Sequence, residues 1–338
     1  MLSTPFRPPA HSDHASTPAA RPGLAAASSL SKEPPGQQPL TLTQRLATIR
    51  QTNHPGAVAD SAAAREFEFK AADFERVRKL IYAKAGISLT IAKQDMVYSR
   101  LARRLRATGM KSFGQYLDHL EHSPGAPEWE GFINALTTNL TSFFREPHHF
   151  PMLAQHLREI AAKRKQINIW CCAASTGEEP YSIAMTVADT FPNGGPQISV
   201  FCTDLDTEVL KTAEKGVYAG DRVDKIPPDQ LKRYFNTGVG SQADSYSIKP
   251  ELRRMLTFKR LNLLDPVWAV KGPLDVIFCR NVMIYFDKPT QYKILARFVP
   301  LLQPDGRLYA GHSESFLHAA DLFRSLGKTV YELAGKAR

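Results

Sequence analysis

The sequence of 338 residues predicts an α/β protein in which a small helical domain precedes a mostly parallel sheet covered by helices on both faces. Three observations support this prediction. Strand-like apolar runs alternate with helical patterns from residue 167 to residue 334. The run INIWCC (167–172) ends in a small-residue loop that leads directly into a helix, and open α/β sheets bind ligands on such units. From Glu66 to about residue 138, apolar residues recur at helical spacing only.

Composition indicates a globular chain with no membrane-inserted segment. The hydrophobic content of 43% is ordinary, no apolar run reaches about 18 residues, and the N-terminus lacks a secretory-type apolar stretch. The four cysteines fall on predicted buried strands without C-x-x-C spacing: Cys171, Cys172, Cys202 and Cys279. We therefore expect free thiols in a reducing compartment, the cytoplasm.

Residues 1–64 are rich in Pro, Ala, Ser and Thr, with Phe6 as their only aromatic residue. Such a segment buries too little apolar surface to offset its ordering entropy. We expect a disordered tail.

Residues 65–137 are predicted to form the helical domain. Its first helix carries Phe69, Phe74, Val77, Leu80 and Ile81, and the turn at Gly86 follows. Three further helices are expected over about 92–108, 112–122 and 127–138.

The net charge of +10 is concentrated in this domain, where residues 70–111 contain eleven Lys or Arg against three acids. The second helix is expected to direct Arg100, Arg103, Arg104 and Arg106 largely outward. A nucleic acid, a membrane surface or an acidic protein helix would each complement such a face, and a solvated face without a partner is the remaining alternative.

The segment LTTNLTSFFREPHHF (136–150) has more hydroxyl and amide groups than a simple linker requires. It is either an interdomain elbow or a loop over a ligand pocket that offers Arg145 as a planar donor. Pro147 suits the first turn of a helix over 147–163. Adjacent His148 and His149 cannot easily reach one metal from a helix, so we expect packing or capping roles and no metal site.

The loop AASTG and the helix over 178–190 follow the first strand. One glycine and two acids, Glu178 and Glu179, disfavour a phosphate ligand and favour one with hydroxyls and positive charge, such as S-adenosylmethionine. The alternative is a pair of capping boxes, formed by Ser175 with Glu178 and by Thr176 with Glu179. The residues of this loop alone leave both interpretations open.

The next strand, 198–204, ends in Asp204, at the position where Rossmann-like units hold ribose hydroxyls. Asp206 is expected to be the N-cap of the following helix, which runs to about residue 215. Residues 216–258 interrupt the alternation and predict an insertion with short antiparallel strands.

The remaining elements complete a sheet of about seven strands. A strand over 274–281 brings Arg280, Asn281 and, just beyond, Tyr285 to the carboxyl edge. A helix over 288–302, a strand over 307–314 and a last strand pair near 328–334 follow.

Five motifs in matching order resemble the CheR family of bacterial chemotaxis methyltransferases, which methylate receptor glutamates: NLTSFFREPHHF, CCAASTGEEPYSIAM, TDLDTEVLKTAEKGVY, FCRNVMIYFD and GHSESF. The resemblance runs from about Glu66 to the C-terminus. It implies a Rossmann-like class I methyltransferase sheet over 138–338, with a β-subdomain inserted at about 216–258.

The resemblance also implies a site and partners. The cofactor is S-adenosylmethionine, with S-adenosylhomocysteine as product, held by Asn139, Thr141, Arg145, Glu179, Asp204, Asn262, Leu263, Arg280 and Asn281. Our own hypothesis for the catalytic residues is that Arg145 orients the incoming carboxylate or the cofactor's end of the site and that Tyr285 shapes the methyl passage, while Glu178 is expected to cap its helix.

The partners implied are the cytoplasmic helices of methyl-accepting receptors, which would meet Arg100, Arg103 and Arg104. In some members the β-subdomain binds a receptor tail peptide, and the YFNTGVG turn is similar to theirs. We expect a monomer without nucleic-acid partners. A nucleic-acid methyltransferase and a non-enzymatic S-adenosylmethionine sensor remain the alternatives.

Overall fold

A computed structural model describes residues 65–240 and 243–335, all within one compact unit, Ala64–Arg338. The predicted disordered tail lies outside the described residues. Among the helices described, none is long and apolar enough to cross a membrane.

Four helices form the N-terminal part: α1 (Ala71–Ala85), α2 (Gln94–Thr108), α3 (Phe113–His122) and α4 (Glu128–Leu136). Apolar residues at helical spacing, among them Phe74, Leu101 and Phe132, are buried in one shared core. The second helix starts two residues later than predicted because a single 3-10 turn, Ile91–Lys93, precedes it.

The rest of the chain folds around a seven-stranded sheet in the order β6-β2-β1-β7-β8-β10-β9. Its strands are β1 (Gln166–Cys171), β2 (Gln197–Asp204), β6 (Leu256–Arg260), β7 (Leu274–Cys279), β8 (Leu302–Ala310), β9 (Phe323–Gly327) and β10 (Val330–Leu333). The first five are parallel, and β10 and β9 complete one edge as antiparallel strands. This Rossmann-like arrangement confirms the predicted fold class.

Successive β1 side chains point to opposite faces of the sheet, so Ile169 and Cys171 join one core while Trp170 and Cys172 join the other. The covering helices are α5 (His149–Ala161), α6 (Glu178–Thr190), α7 (Thr207–Lys215) and α11 (Lys288–Phe298). All four cysteines are buried and free, as the sequence predicted.

The insertion contains a separate three-stranded antiparallel sheet of β3 (Val217–Ala219), β5 (Ser245–Ile248) and β4 (Phe235–Thr237). Short helices α8 (Gly220–Val223), α9 (Pro228–Tyr234) and α10 (Pro250–Arg253) accompany it. The β-subdomain is therefore present, but Leu256 already belongs to the main sheet.

Three predicted boundaries near the C-terminus are wrong. The helix predicted over 288–302 ends at Phe298, and β8 begins at Leu302, so Pro304-Asp305-Gly306 lies inside a strand instead of a turn. That strand ends at Ala310, and residues 311–314 form a turn that contributes to the site described next.

Candidate cofactor and methyl-transfer site

A cleft opens at the carboxyl edge of the parallel strands. Its walls come from the ends of β1, β2 and β7, from the segment after α4 and from the loop after β6. The nine residues implied as cofactor contacts all line this cleft, together with Tyr285.

The loop between β1 and α6 is shaped for close packing. Gly177, at φ +100°, is the N-cap of α6, and an added Cβ would lie 2.6 Å from the Tyr218 hydroxyl. Ser175 also has positive φ, 47°, and its N–H donates to Asp204 Oδ2 at 2.8 Å. The first loop and the end of the second strand are thus joined directly at the floor of the cleft.

Asp204 and Asp206 differ in position, as the sequence predicted. Asp206 caps α7 by accepting the N–H groups of Glu208 and Val209. Asp204 lines the cleft, where burial raises its pKa to about 6 although the N–H groups of Asp206 and Ser175 favour its ionised form.

The capping role predicted for Glu178 is wrong. No side chain caps α6, and Glu178 is fully buried in an ion pair with Arg222 of the β-subdomain while also accepting from Thr176 Oγ1 at 2.6 Å. The partner, Arg222, lies 44 residues further along the chain, so a local capping pattern cannot reveal this pairing. Glu179 lines the cleft as expected.

A buried chain of charges crosses the back of the cleft. Arg280, whose side chain is fully buried, donates from Nη1 to Glu179 at 2.9 Å and contacts Glu146 through Nη2 at 3.2 Å. Burial raises the pKa of Glu179, and Arg280 opposes that rise. The Arg280 Nε atom is buried without a hydrogen-bond partner among the described residues. A buried donor of this kind is costly unless a ligand satisfies it.

Glu146 is a site residue that the sequence reasoning missed. Burial disfavours its charge, but the backbone and ring N–H groups of His312, with Arg280 and Asn281, lower its pKa to about 2. Its positive φ of 55° is unusual for glutamate, and its carboxylate contacts Arg280 and Asn281, which line the cleft. No local pattern in the sequence indicates these distant partners.

Glu314 is the second residue that was missed. Its carboxylate accepts the N–H groups of Asn281 and Val282 at 2.9 Å each, of Met283 at 2.8 Å, and of Gly311. Gly311 is required here because an added Cβ would lie 2.3 Å from Asn281 Nδ2. The GHSESF motif thus braces the loop that carries Arg280, Asn281 and Tyr285.

The segment after α4, residues 137–141, crosses the front of the cleft, and we call it the strap. Arg145 Nη1 donates to the Leu140 carbonyl at 2.8 Å, and the Tyr285 hydroxyl donates to the Thr138 carbonyl at 3.4 Å. The Asn139 side chain donates to Asp206 Oδ2 at 2.8 Å. Asn262 closes the opposite wall, where its Nδ2 donates to the Lys84 carbonyl at 2.8 Å.

Three arginines of the basic helix α2 already have partners within the protein. Arg104 forms a bidentate pair with Glu128, and Arg106 pairs with Glu66. Arg100 donates to carbonyls of the strap region, so Arg103 is the arginine of this helix that remains exposed without a partner among the described residues.

Glu146, His148 and His149 bring potential metal-ligand atoms within 4.8 Å of one another. Burial and the nearby Arg280 lower the pKa of His149 to about 4, and its Nε2 contacts the Lys328 carbonyl at 2.9 Å. The same arginine that pairs with Glu146 disfavours a second cation there.

Two protein-family models match this chain. The family model for the CheR methyltransferase S-adenosylmethionine-binding domain matches residues 139–332, and the model for the CheR all-alpha domain matches 72–137. The chain belongs to the CheR methyltransferase family. The chemotaxis protein methyltransferase of Escherichia coli is 52% identical over 78% of this chain and 91% of its own length. Chemotaxis protein methyltransferase 2 of Pseudomonas aeruginosa is 49% identical over 80% of this chain and 95% of its own length.

The residues of the cleft fit the cofactor of the CheR family. Two carboxylates, Glu179 and Asp204, line a cleft without a glycine-rich phosphate cradle, and the buried Arg280 Nε offers an unused donor. Carboxylates suit ribose hydroxyls and an ammonium group, and guanidinium donors suit a carboxylate. S-adenosylmethionine, the CheR cofactor, carries each of these groups and supplies an electrophilic methyl.

Proposed function

We propose that this CheR family member transfers a methyl group from S-adenosylmethionine to glutamate carboxylates of chemotaxis receptors, forming methyl esters. The observation that carries the proposal is the cleft that Glu179, Asp204 and Arg280 line, at the open edge of the sheet. The relatives named as chemotaxis protein methyltransferases support the biological setting.

The transfer needs alignment more than acid–base chemistry. A glutamate side chain, with an ordinary pKa of about 4.3, is already an anion at neutral pH. Its oxygen attacks the methyl carbon in line, the sulfur–carbon bond breaks, and S-adenosylhomocysteine leaves with both electrons. The protein therefore has to hold the two partners in line, exclude water and stabilise the incoming charge.

Arg145 and Tyr285 are proposed to supply that alignment. Arg145 is half-buried at the cleft and uses Nη1 to hold the Leu140 carbonyl. Its planar guanidinium has further donors, which suit a carboxylate. Tyr285 donates to the Thr138 carbonyl of the strap and would restrict the passage for the methyl group.

Receptor docking is proposed for α2, with Arg103 as the main contact because Arg100 and Arg104 already have partners within the protein. A receptor tail peptide would add a strand to the β3-β5-β4 sheet of the insertion. Both contacts are consistent with a cytoplasmic monomer acting on membrane receptors from the inside.

The deciding experiment incubates the full chain and methyl-labelled S-adenosylmethionine with receptor signalling domains or with RNA. The proposal expects label on receptor protein as a base-labile ester. Label on RNA, or cofactor binding without transfer to receptor, would overturn it. Arg145→Ala should lower transfer at least a hundredfold, and near-normal transfer by that variant would exclude the role given to Arg145.

A further inference from the structure

The strap has an unusual pattern of support: four successive backbone carbonyls each accept a hydrogen bond from a side chain of a different element. Arg100 of α2 donates to Thr137, Tyr285 to Thr138, Ser175 of the β1–α6 loop to Asn139, and Arg145 to Leu140. Arg100 also reaches the Ala135 carbonyl at 3.3 Å.

This support replaces the regular hydrogen bonds that the segment lacks. Residues 137–142 form neither helix nor strand, and Thr137 has extended backbone angles of φ −66° and ψ 153°. An unsupported polar segment of this kind would have to be ordered when a ligand binds, and the entropy of that ordering would weaken binding.

The strap forms one wall of the cofactor cleft, because residues 136–141 all line it. Three of the four donors, Tyr285, Ser175 and Arg145, line the same cleft, so their variants would change cofactor contacts as well as the strap. Arg100 does not line that cleft and lies in the adjacent cleft with Arg103 and Glu130. Its contact with this wall of the cleft is the hydrogen bond to the backbone that it holds.

We propose that Arg100 is a positioning residue of the cofactor site, which pre-orders the strap by holding the Thr137 carbonyl. Arg100 thus has a different role from Arg103, three residues further along α2, which is exposed and free to meet a receptor. The inference rests on the proposed function only for the role of Arg103, since the cofactor follows from family membership. It divides the basic helix into a side chain that serves the methyl donor and one that serves the methyl acceptor.

Arg100→Ala and Arg103→Ala form a matched pair, because each removes one positive charge from the same helix. Titration calorimetry with S-adenosylhomocysteine, in the absence of receptor, gives affinity and stoichiometry separately. We expect Arg100→Ala to weaken binding about tenfold at unchanged stoichiometry, and Arg103→Ala to leave it within twofold of wild type. Arg100→Lys, which keeps a donor but not the planar group, should fall between them.

The receptor assay separates the two proposals. Arg103→Ala should raise the KM for receptor and leave the KM for S-adenosylmethionine unchanged, with Arg100→Ala showing the opposite split. Unchanged cofactor affinity in Arg100→Ala, or equal weakening by both variants, would overturn the strap inference. A wild-type protein that binds S-adenosylhomocysteine but never esterifies receptor would instead overturn the proposed function and leave the strap result standing.

Discussion

At the scale of single residues, the site depends on buried carboxylates whose charged form is disfavoured by burial and favoured by N–H donors and guanidinium groups. Glu146 is the clearest case, since its side chain is 8% exposed and its pKa falls to about 2. A carboxylate whose pKa is lowered on folding stabilises the protein above its unfolded pKa, near 4.5, and that contribution is lost as pH falls towards 2.

Glu146→Gln should therefore lower the free energy of unfolding at pH 7 by about 3 kcal/mol. It should also flatten the pH dependence between about 4.5 and 2, as measured by urea unfolding at several pH values. Burial lowers the pKa of His149 to about 4, so protonation of His149 lowers the free energy of unfolding at a higher pH, between about 6.5 and 4. Glu68→Gln, at a side chain 78% exposed, is the control. A wild-type slope retained in Glu146→Gln would contradict the assignment.

Glu314 allows a test of support against simple stability. In Glu314→Gln the amide NH₂ must face two backbone N–H groups whichever way it turns, because each carboxylate oxygen accepts two of them. We expect a loss of about 2–4 kcal/mol in unfolding free energy and at least tenfold weaker binding of S-adenosylhomocysteine.

The matched control for Glu314 is Asp275→Asn, at the far end of β7. Asp275 is also buried, accepts the Asn168 N–H at 2.7 Å and pairs with Arg164 at 3.0 Å. This variant should destabilise the fold and leave the affinity of the folded protein unchanged. Equal affinity in the two variants would show that Glu314 only stabilises.

At the scale of elements, the junction of β1 and α6 carries the site because three parts of the chain converge on Gly177. An added Cβ would lie 2.6 Å from Tyr218 Oη in the β-subdomain and 2.9 Å from Ala213 Cβ in α7. Gly177→Ala should lower the free energy of unfolding by about 3 kcal/mol, as the sum of strain in the left-handed backbone conformation and overpacking. It should also weaken cofactor binding. Gly194→Ala has a similar φ of +92° with no atom within 4 Å of the added Cβ, so it isolates the strain. Equal destabilisation of both variants by denaturant would exclude the packing contribution.

Some element boundaries could be predicted from the sequence and others could not. The helix over 178–190 and the strand ending at Asp204 were predicted to the residue at those positions, because apolar periodicity and small loop residues are local signals. The boundary between α11 and β8 was missed because β8 already pairs with β7 at Leu302 and pairs again from Arg307, with a register shift between the two. Pro304 and Gly306 lie in this irregularity of the strand, a position that tolerates both residue types, and no local signal places it there.

At the scale of the whole molecule, the residues taken from the motifs lie together, but the contacts that other residues make with them from distant parts of the chain could not be predicted. The residues taken from the motif resemblance all line one cleft. The contacts of Glu146 with His312, of Glu314 with residues 281–283 and of Glu178 with Arg222 span 31 to 166 residues, so no local pattern could reveal them. The apparent excess of charge on α2 was also misleading, because Glu128 and Glu66, distant in sequence, pair with Arg104 and Arg106.

The receptor docking proposed for α2 depends on the positive charge of Arg103. If Arg103 attracts acidic receptor helices, Arg103→Glu should reduce methylation several-fold at low ionic strength. The difference from wild type should shrink as salt rises past about 0.15 M, where the screening length falls to about 8 Å. Lys79→Glu makes the same charge change at an exposed position of α1 and is the control. Initial rates of receptor methylation across a salt series measure both effects. Rates that are indifferent to salt, or equal losses in the two variants, would show that overall charge, and not contact at Arg103, governs docking.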